Sequence, residues 1–167
     1  MNFEMVTIRI IHIVTGTFWV GASVYIAFIL TPQLNTLGIG VQGPVMRQIS
    51  RITGLWLTAA AFITIVFGFF LTFRIYSGSL DDFFNTGWGW AIAIGAVTSI
   101  SAFLLEGRNG VTAARMRRLY ESFEGEEPTA EQSRQLDGYK ARIGLLSKID
   151  AVLVIIAVGS MAAARFV

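Results

Sequence analysis

The sequence predicts an all-α membrane protein, an antiparallel bundle of four transmembrane helices with a cytoplasmic helical hairpin extending the third and fourth. Two observations lead to this fold class. Of the 167 residues, 54% are apolar and only 14% are charged, whereas about a quarter of the residues in soluble domains are charged. Four separate windows are also apolar over the roughly 20 residues that a helix needs to cross a bilayer. A polar segment with helical periodicity separates the last two windows.

Each predicted span is expected to be a helix, because backbone groups inside a bilayer must be satisfied internally. The chain is expected to form one domain, 1–167. Its four spans cover about 8–31, 52–75, 87–106 and 145–166, and its hairpin covers about 107–144. Pro32 ends the first span in this prediction, because proline cannot continue a helix. No secretory cleavage site follows the span, so it is expected to remain in the mature protein.

Basic residues are distributed unevenly between the two sides of the predicted bundle. Ten of the 13 Lys and Arg residues lie in the connections after the first and third spans, and only Arg9, Arg74 and Arg165 lie on the opposite side. The positive-inside rule then predicts cytoplasmic long connections and two extracytoplasmic termini in a multi-pass inner (plasma) membrane protein. The net charge of +2 is too small for a nucleic-acid-binding surface. The lipid bilayer is therefore the expected environment, without a nucleic acid partner.

The polar segment between the last two spans has apolar residues at helical spacing. The apolar positions are Met116, Leu119, Tyr120 and Phe123, and then Leu136, Tyr139 and Ile143. Thr129 and Gln132 have the spacing of a capping box that opens the second helix. The hairpin is either a docking surface for a partner or anionic lipid, or a self-paired solvated element. Its interspersed opposite charges favour the second interpretation.

One histidine and one methionine are predicted at similar depth near the outer side. His12 follows Arg9 by three residues and Met161 precedes Arg165 by four, which places them about 4.5 and 6 Å deeper than these arginines. The first and last helices of an up-and-down bundle are usually neighbours. The imidazole and the thioether are therefore expected to approach each other, as in one form of haem ligation or in a Cu(I) site.

Two further residues lie on the same face of the first helix as His12. Gly16 leaves room for a flat macrocycle. Trp19 lies too deep to belong to the belt of aromatic residues at the membrane interface. The predicted cofactor-binding residues are thus His12, Met161, Gly16 and Trp19, with His12 and Met161 as metal ligands. The alternative is that His12 is an interfacial or hydrogen-bonded residue and Met161 a packing residue. Haem held by two histidines would require a second subunit, because the chain has one histidine.

Asp150 is an acidic residue about one turn into the fourth span. An unpaired carboxylate at this depth would be costly, so the sequence predicts a structural ion pair between Asp150 and Arg51 or Arg47. The alternative is a carboxyl group that handles protons.

Small residues follow one face of each span, as expected where membrane helices pack closely. The stripes are Thr17 and Gly21, Gly68 and Thr72, Ala91 with Gly95 and Ser99, and Gly159 with Ala163. They suit either a tight bundle or contacts between subunits.

The first and last helices resemble a group of small bacterial membrane proteins. Residues 9–22, Arg-Ile-Ile-His-Ile-Val-Thr-Gly-Thr-Phe-Trp-Val-Gly-Ala, resemble the first helix of proteins related to the copper-resistance protein CopD, with Ala22 where those proteins have a second glycine. Residues 161–166 are similar to the Met-Ala-x-Ala-Arg-Tyr ending of uncharacterised relatives, with Phe166 in place of tyrosine. HemJ-type protoporphyrinogen oxidases, which bind haem, share the general appearance of the first helix, including His12. The resemblance implies haem b, or alternatively copper, next to His12.

The sequence leaves three functional hypotheses. The first is a protein that binds haem b or a metal ion near His12 and serves as an electron-transfer or accessory redox subunit. The second is a cofactor-free structural or assembly subunit that packs against other membrane subunits or a second copy. A small transporter ranks last for want of polar pore residues. The chain has none of the common catalytic motifs, so the sequence leans against an enzyme.

Overall fold

The computed structural model describes residues 3–76, 78–123 and 126–167, and every regular element in these ranges is helical. The helices are α1 (Phe3–Tyr25), α2 (Thr31–Thr36), α3 (Ile39–Ile75), α4 (Leu80–Phe84), α5 (Gly87–Glu121) and α6 (Ala130–Ala163). Four helical segments in the described residues are long and apolar enough to cross a membrane: Phe3–Thr36, Gly40–Ile75, Gly87–Glu121 and Ala130–Ala163. The protein is therefore a multi-pass membrane protein.

The first helical segment does not end before Pro32, as the sequence predicted, but continues to Thr36. A π-helical turn, Ile26–Leu30, joins α1 to α2. In this turn the backbone N–H of Thr31 donates to the carbonyl of Ile26, one residue further back than in an α-helix. The wider turn shifts the carbonyls that the Pro32 ring would otherwise contact, so the chain stays helical.

The other long helices also extend beyond the predicted spans. α3 begins at Ile39, so Arg47 and Arg51 lie on a helix rather than in a loop. α5 and α6 contain 35 and 34 residues, which gives each a length of about 50 Å. The predicted capping box is confirmed, because the Thr129 hydroxyl and the Gln132 side chain each accept from the other residue's backbone N–H.

The four long segments contact one another in a ring. α5 and α6 share the most extensive contact, α1 packs on α3, α3 packs on α5, and α1 also touches α6. An ion pair joins Glu4 at the start of α1 to Arg74 at the end of α3. Near the opposite end, the Tyr120 hydroxyl of α5 donates to Gln42 of α3 at 2.9 Å.

Two apolar clusters fill the interior. The membrane cluster consists of Trp19, Leu57, Ala60, Ala61, Ala102 and Val154. The hairpin cluster consists of Met116, Tyr120, Phe123 and Leu136, with Leu119, Tyr139 and Ile143 packed against it. The second cluster contains all seven apolar positions that the periodicity of the polar segment indicated, and it joins α5 to α6 along this segment.

The small-residue stripes divide into buried and exposed ones. On α5, Gly95 and Ser99 are buried. Thr17 and Gly21 on α1 are exposed, as are Gly159 and the following residues Ala162 and Ala163 on α6. The stripes on α1 and α6 therefore lie outside the bundle interior, because these two helices present other faces to their neighbours.

The start of α5 depends on one glycine. The backbone of Gly89 lies against the carbonyl of Phe83 in α4, and a Cβ built on Gly89 would lie 1.8 Å from that oxygen. Any side chain at this position must therefore displace the turn between α4 and α5.

We expect Gly89→Ala to lower the free energy of unfolding by about 1–3 kcal/mol, the usual cost of overpacking. Gly138→Ala is the matched control, because Gly138 is exposed on α6 and no atom of another element lies within 4 Å of a Cβ built there. The control should be neutral or stabilising by up to about 1 kcal/mol, since alanine favours helix. Unfolding of the detergent-solubilised protein measures both changes, and equal losses would contradict the close approach.

Candidate functional site

Two polar groups on one face of α1 point at carboxyl groups on other helices. Trp19 and Ser23 lie one turn apart, and both are buried. The indole Nε1 of Trp19 donates to Oε2 of Glu106 on α5 at 3.1 Å. The Ser23 side chain lies beside the carboxyl group of Asp150 on α6. Side chains at i and i+4 of α1 therefore lie against both acidic residues.

The carboxyl groups of Glu106 and Asp150 are close enough to interact electrostatically. Only 6% of the Asp150 surface is exposed. One oxygen of each group, Oε1 of Glu106 and Oδ1 of Asp150, is buried without a hydrogen-bond partner. Buried acceptors of this kind are costly, and ionisable groups inside a membrane usually mark a functional site.

The depth of this pair follows from the length of α1. Trp19 lies 15 residues after Glu4, or about 22 Å along the helix. Glu4 pairs with Arg74 at one end of the bundle, and the hydrocarbon core of a bilayer is roughly 30 Å thick. With the Glu4–Arg74 pair at the interface, Trp19 and Glu106 lie within the hydrocarbon core, in the half further from that pair.

Glu106 also lies on the wall of a cleft of about 500 Å³. The π-helical turn and α2 form one side of the cleft, and α3, α5 and α6 form the rest. Its polar wall contains Glu106, Asn109, Ser147 and Ser50. The amide nitrogen of Asn109 donates to the Ser147 hydroxyl at 2.8 Å. Oδ1 of Asn109 and Oγ of Ser50 are buried without a hydrogen-bond partner.

Most of the remaining cleft surface is apolar. Ile26, Leu30, Leu57, Met46 and Ile143 contribute to it. Three basic residues also line the cleft: Arg51, Arg117 and Lys140. The cleft thus combines a largely apolar wall with a group of acceptor oxygens and with cationic side chains. We call it the acidic cleft, after Glu106.

His12 contacts α3. Its Nδ1 lies 2.8 Å from the carbonyl oxygen of Thr64. Because a carbonyl only accepts, Nδ1 carries the proton in this contact and a neutral ring has its lone pair on Nε2. The ring also packs on Gly68, where an added Cβ would lie 2.9 Å from the ring carbon Cε1. His12 is thus oriented by two contacts with one helix.

The other predicted cofactor residues do not all contact the same helix as His12. A Cβ on Gly16 would lie 3.2 Å from the Thr64 side chain, so Gly16 lets α1 approach α3. Met161 packs into the space above Gly95 on α5, 2.9 Å from a built Cβ. His12 and Gly16 thus contact α3, Met161 contacts Gly95 of α5, and Trp19 donates its hydrogen bond to Glu106 of α5. Among the described residues, no group of three or more His, Cys, Asp or Glu side chains is arranged to hold a metal ion.

Ser23 lies beside the carboxyl group of Asp150, and Glu106 is close enough to interact with it electrostatically. Arg51 is exposed and lines the cleft, whereas Arg47 is half-buried on α3. Three ion pairs elsewhere in the structure join Arg74 to Glu4, Arg117 to Glu121 and Arg134 to Glu131.

The sequence pattern did not indicate Glu106, Asn109 or Ser147 as candidate site residues. Glu106 is only the last residue of the third predicted span, 87–106. Two signals were present: Trp19 lies too deep for an interfacial belt, and Glu106 follows directly on the apolar third span. An indole at that depth needs an acceptor for its N–H.

No protein family model, curated protein or solved structure matches this chain. The resemblance to CopD-related and HemJ-type proteins therefore stays a prediction. The interpretation of the site rests on its geometry.

We expect Trp19→Phe to lower the free energy of unfolding by about 1–3 kcal/mol, because it leaves a buried oxygen of Glu106 without its donor. Trp56→Phe is the matched control, since Trp56 is 63% exposed. Thermal or denaturant unfolding in detergent measures both variants. An equal loss in both would mean that the indole of Trp19 contributes only apolar surface.

Proposed function

We propose that the protein is a multi-pass inner membrane protein in which the four long segments form an antiparallel bundle. The hairpin at about 107–144 is cytoplasmic and both termini lie outside. The side-chain pairs Glu4–Arg74 and Gln42–Tyr120, which join the start of one helix to the end of its neighbour, support this arrangement. The excess of basic residues on the hairpin side supports the orientation.

We further propose that the acidic cleft binds a small ligand. The observation that carries this proposal is the group of unpartnered buried acceptors beside an open, otherwise largely apolar space: Oε1 of Glu106, Oδ1 of Asn109 and Oγ of Ser50. Ligand sites usually have this composition, with a few placed polar groups on a mostly apolar wall. The volume of about 500 Å³ also falls within the usual range for such sites.

A purely structural role accounts less well for these groups. Each buried acceptor without a partner costs about 1–3 kcal/mol, and buried charged groups can often be replaced by apolar residues without loss of stability. A ligand that supplies donors to Glu106 and Asn109 removes this cost.

Cysteine labelling tests whether the cleft is open, because the chain has no native cysteine. Ala113 lines the cleft one turn beyond Asn109, and Ser99 is buried on the same helix with 7% of its surface exposed. We expect a neutral methanethiosulfonate to modify Ala113→Cys at least about tenfold faster than Ser99→Cys, which corresponds to a difference of about 1.4 kcal/mol. Equal rates would contradict an open cleft.

A second candidate function is the binding of haem b or copper at His12 by an electron-transfer or accessory redox subunit. The hydrogen bond from Nδ1 to the Thr64 carbonyl favours it, because metal-ligating histidines usually donate their other ring N–H to such an acceptor. His12 would then offer Nε2, and haem held by two histidines would take its second one from another chain. Met161 is the thioether that would complete a Cu(I) site.

An optical spectrum of the purified protein, oxidised and then dithionite-reduced, tests this second candidate. If haem is bound, we expect a Soret band that His12→Ala removes, while Trp56→Phe, a change at an exposed residue, retains it. Metal analysis of the same sample tests whether copper is bound. A clean spectrum from cells with ample haem, together with a blank metal analysis, would contradict cofactor binding at His12.

We also propose that the protein contacts other membrane subunits or a second copy of the chain. The exposed stripes on α1 and α6, Thr17 with Gly21 and Gly159 with Ala163, support it. Small residues of this kind allow close approach of helices in lipid. They would serve a cofactor-free assembly subunit as well as a ligand-binding one.

A further inference from the structure

We propose that the acidic cleft binds an acidic phospholipid of the surrounding bilayer, whose phosphate lies among Arg51, Arg117 and Lys140 and whose acyl chains begin along the apolar wall. This inference rests on the proposal that the cleft binds a ligand, and it adds the chemical class of that ligand. It follows from the cationic side chains of the cleft, from their depth and from the apolar mouth, independently of the buried acceptors.

The charged lining of the cleft is mainly cationic. Among the described residues, Arg51 of α3, Arg117 of α5 and Lys140 of α6 line the cleft, together with one acid, Glu106. Three helices thus each contribute one cation to the same space. Basic pockets between transmembrane helices on the cytoplasmic side bind the heads of anionic lipids, and a guanidinium matches a phosphate group because it can donate two parallel hydrogen bonds.

Arg117 and Lys140 lie at nearly the same level of the bundle. Asn109 of α5 donates to Ser147 of α6 at 2.8 Å, which relates the positions of these two helices. Arg117 follows Asn109 by eight residues and Lys140 precedes Ser147 by seven. These separations place the two cations about 12 and 10 Å from that contact, both toward the hairpin cluster. Their charges are therefore placed to act on one anionic group.

This level is that of the lipid heads. Trp19 and its partner Glu106 lie about 22 Å from the Glu4–Arg74 pair, and the hydrocarbon core is roughly 30 Å thick, so the far boundary of the core lies about 8 Å beyond Glu106. Arg117 follows Glu106 by 11 residues, or about 16 Å. It lies about 8 Å outside the hydrocarbon, and the head layer itself extends about 5–8 Å. A long side chain at this level therefore reaches the phosphates.

Arg51 lies deeper than the other two cations. Gln42 of α3 accepts from Tyr120 of α5 at 2.9 Å. Arg51 follows Gln42 by nine residues and Arg117 precedes Tyr120 by three, which places Arg51 about 9 Å closer to the membrane centre than Arg117. Arg51 thus lies at the hydrocarbon boundary. The three cations together cover the depth from this boundary to the lipid heads.

The acids near the cleft offset this charge only weakly. Arg117 approaches Glu121 through Nε at 3.7 Å, beyond hydrogen-bond length, and the two side chains are 28% and 49% exposed. Pairs of this kind contribute little. Glu106 lies about 16 Å from Arg117 along α5 and accepts a hydrogen bond from Trp19. The hairpin end of the cleft therefore keeps a positive charge.

The mouth and the wall of the cleft favour the bilayer as the source of the phosphate. Leu55 and Val111 line the cleft, yet 71% and 54% of their surfaces are exposed. Such a mouth lies against acyl chains in a membrane and admits a lipid from the side. Ile26, Leu30 and Leu57 continue the apolar wall inward. A soluble phosphate would have to leave water beside these side chains, which is costly for a charged group.

Protection of the cleft cysteine in lipid nanodiscs tests the inference. We expect modification of Ala113→Cys by a neutral methanethiosulfonate to slow as phosphatidylglycerol replaces phosphatidylcholine with the same acyl chains. The effect should saturate and reach about tenfold at ten times the dissociation constant of the lipid. The comparison uses the full chain without any charge variant.

A cysteine at similar depth outside the cleft is the control. Leu145 lies two residues before Ser147 on α6, is 60% exposed and is not part of the cleft wall. Leu145→Cys should react at nearly the same rate in both lipids. It reports the general effect of a negative membrane surface on a thiol, which the cleft-specific protection must exceed.

Two double variants with equal charge changes locate the effect. In the Ala113→Cys background, Arg117→Gln with Lys140→Gln should abolish the protection by phosphatidylglycerol. Arg115→Gln with Arg142→Gln removes two exposed cations from the same helices outside the cleft wall and should leave the protection intact. The comparison of the two lipids decides the question even where the first double variant fails to fold.

A soluble anion distinguishes the two sources of a phosphate group. Sodium glycerol 3-phosphate, added to nanodiscs of phosphatidylcholine, should protect Ala113→Cys little. Protection equal to that by phosphatidylglycerol would assign the cleft to a soluble phosphate and would overturn the bilayer as the source.

The outcomes separate this inference from the proposal beneath it. If Ala113→Cys reacts no faster in detergent than the buried Ser99→Cys, the cleft is closed and ligand binding itself fails. If Ala113→Cys reacts rapidly in detergent but equally in the two lipids, or if Leu145→Cys slows as much, the cleft stands and the lipid assignment is overturned. Protection that persists without Arg117 and Lys140 would also overturn it.

Discussion

The position of α1 relative to α5 and α6 depends on its contacts with two carboxyl groups, those of Glu106 and Asp150. In lipid, no bulk water compensates a buried acceptor, so the donors must come from the protein. Trp19 donates to Glu106, and Ser23 lies beside Asp150, from one face of α1. Because these two side chains are one turn apart, their contacts restrict both the rotation and the axial position of α1, which also packs on α3. The membrane cluster around Trp19 then packs on an arrangement that the polar contacts define.

The same arrangement leaves the acidic cleft on the other side of Glu106. The π-helical turn and α2 continue the first segment past Pro32 and bring Ile26 and Leu30 to the wall of the cleft. Toward the hairpin, the Tyr120 hydroxyl donates to Gln42, whose amide nitrogen reaches Asn35 at 3.4 Å. This chain of contacts joins α5, α3 and α2 beside the space. The cleft is thus bounded by elements that hydrogen bonds hold together.

Much of the fold could be predicted from sequence because its signals are local. The spans follow from apolar runs, and the hairpin cluster follows from helical periodicity that places Met116 and Leu136 on facing sides. The capping box at Thr129 needs only residues three apart. The end of the first helix could not be predicted in this way, because the effect of Pro32 depends on whether the preceding turn widens.

The candidate site was less predictable because it depends on how helices rotate about their axes. Depth can be counted in residues, and His12 and Met161 do lie at comparable distances from flanking arginines. Depth does not decide which neighbour a side chain faces, and these two residues pack on Gly68 and Gly95 of different helices. Trp19 was recognised as unusual for its depth, yet its acceptor, Glu106, comes 87 residues later in the chain.

A double-mutant cycle between Trp19 and Glu106 tests the central claim most directly. The free energies of unfolding of Trp19→Phe, Glu106→Gln and the double variant would be measured in one detergent. We expect a coupling energy of about 0.5–3 kcal/mol between the two positions, as for groups in direct contact. Additive effects, within about 0.3–0.5 kcal/mol, would contradict a hydrogen bond that positions α1 on α5.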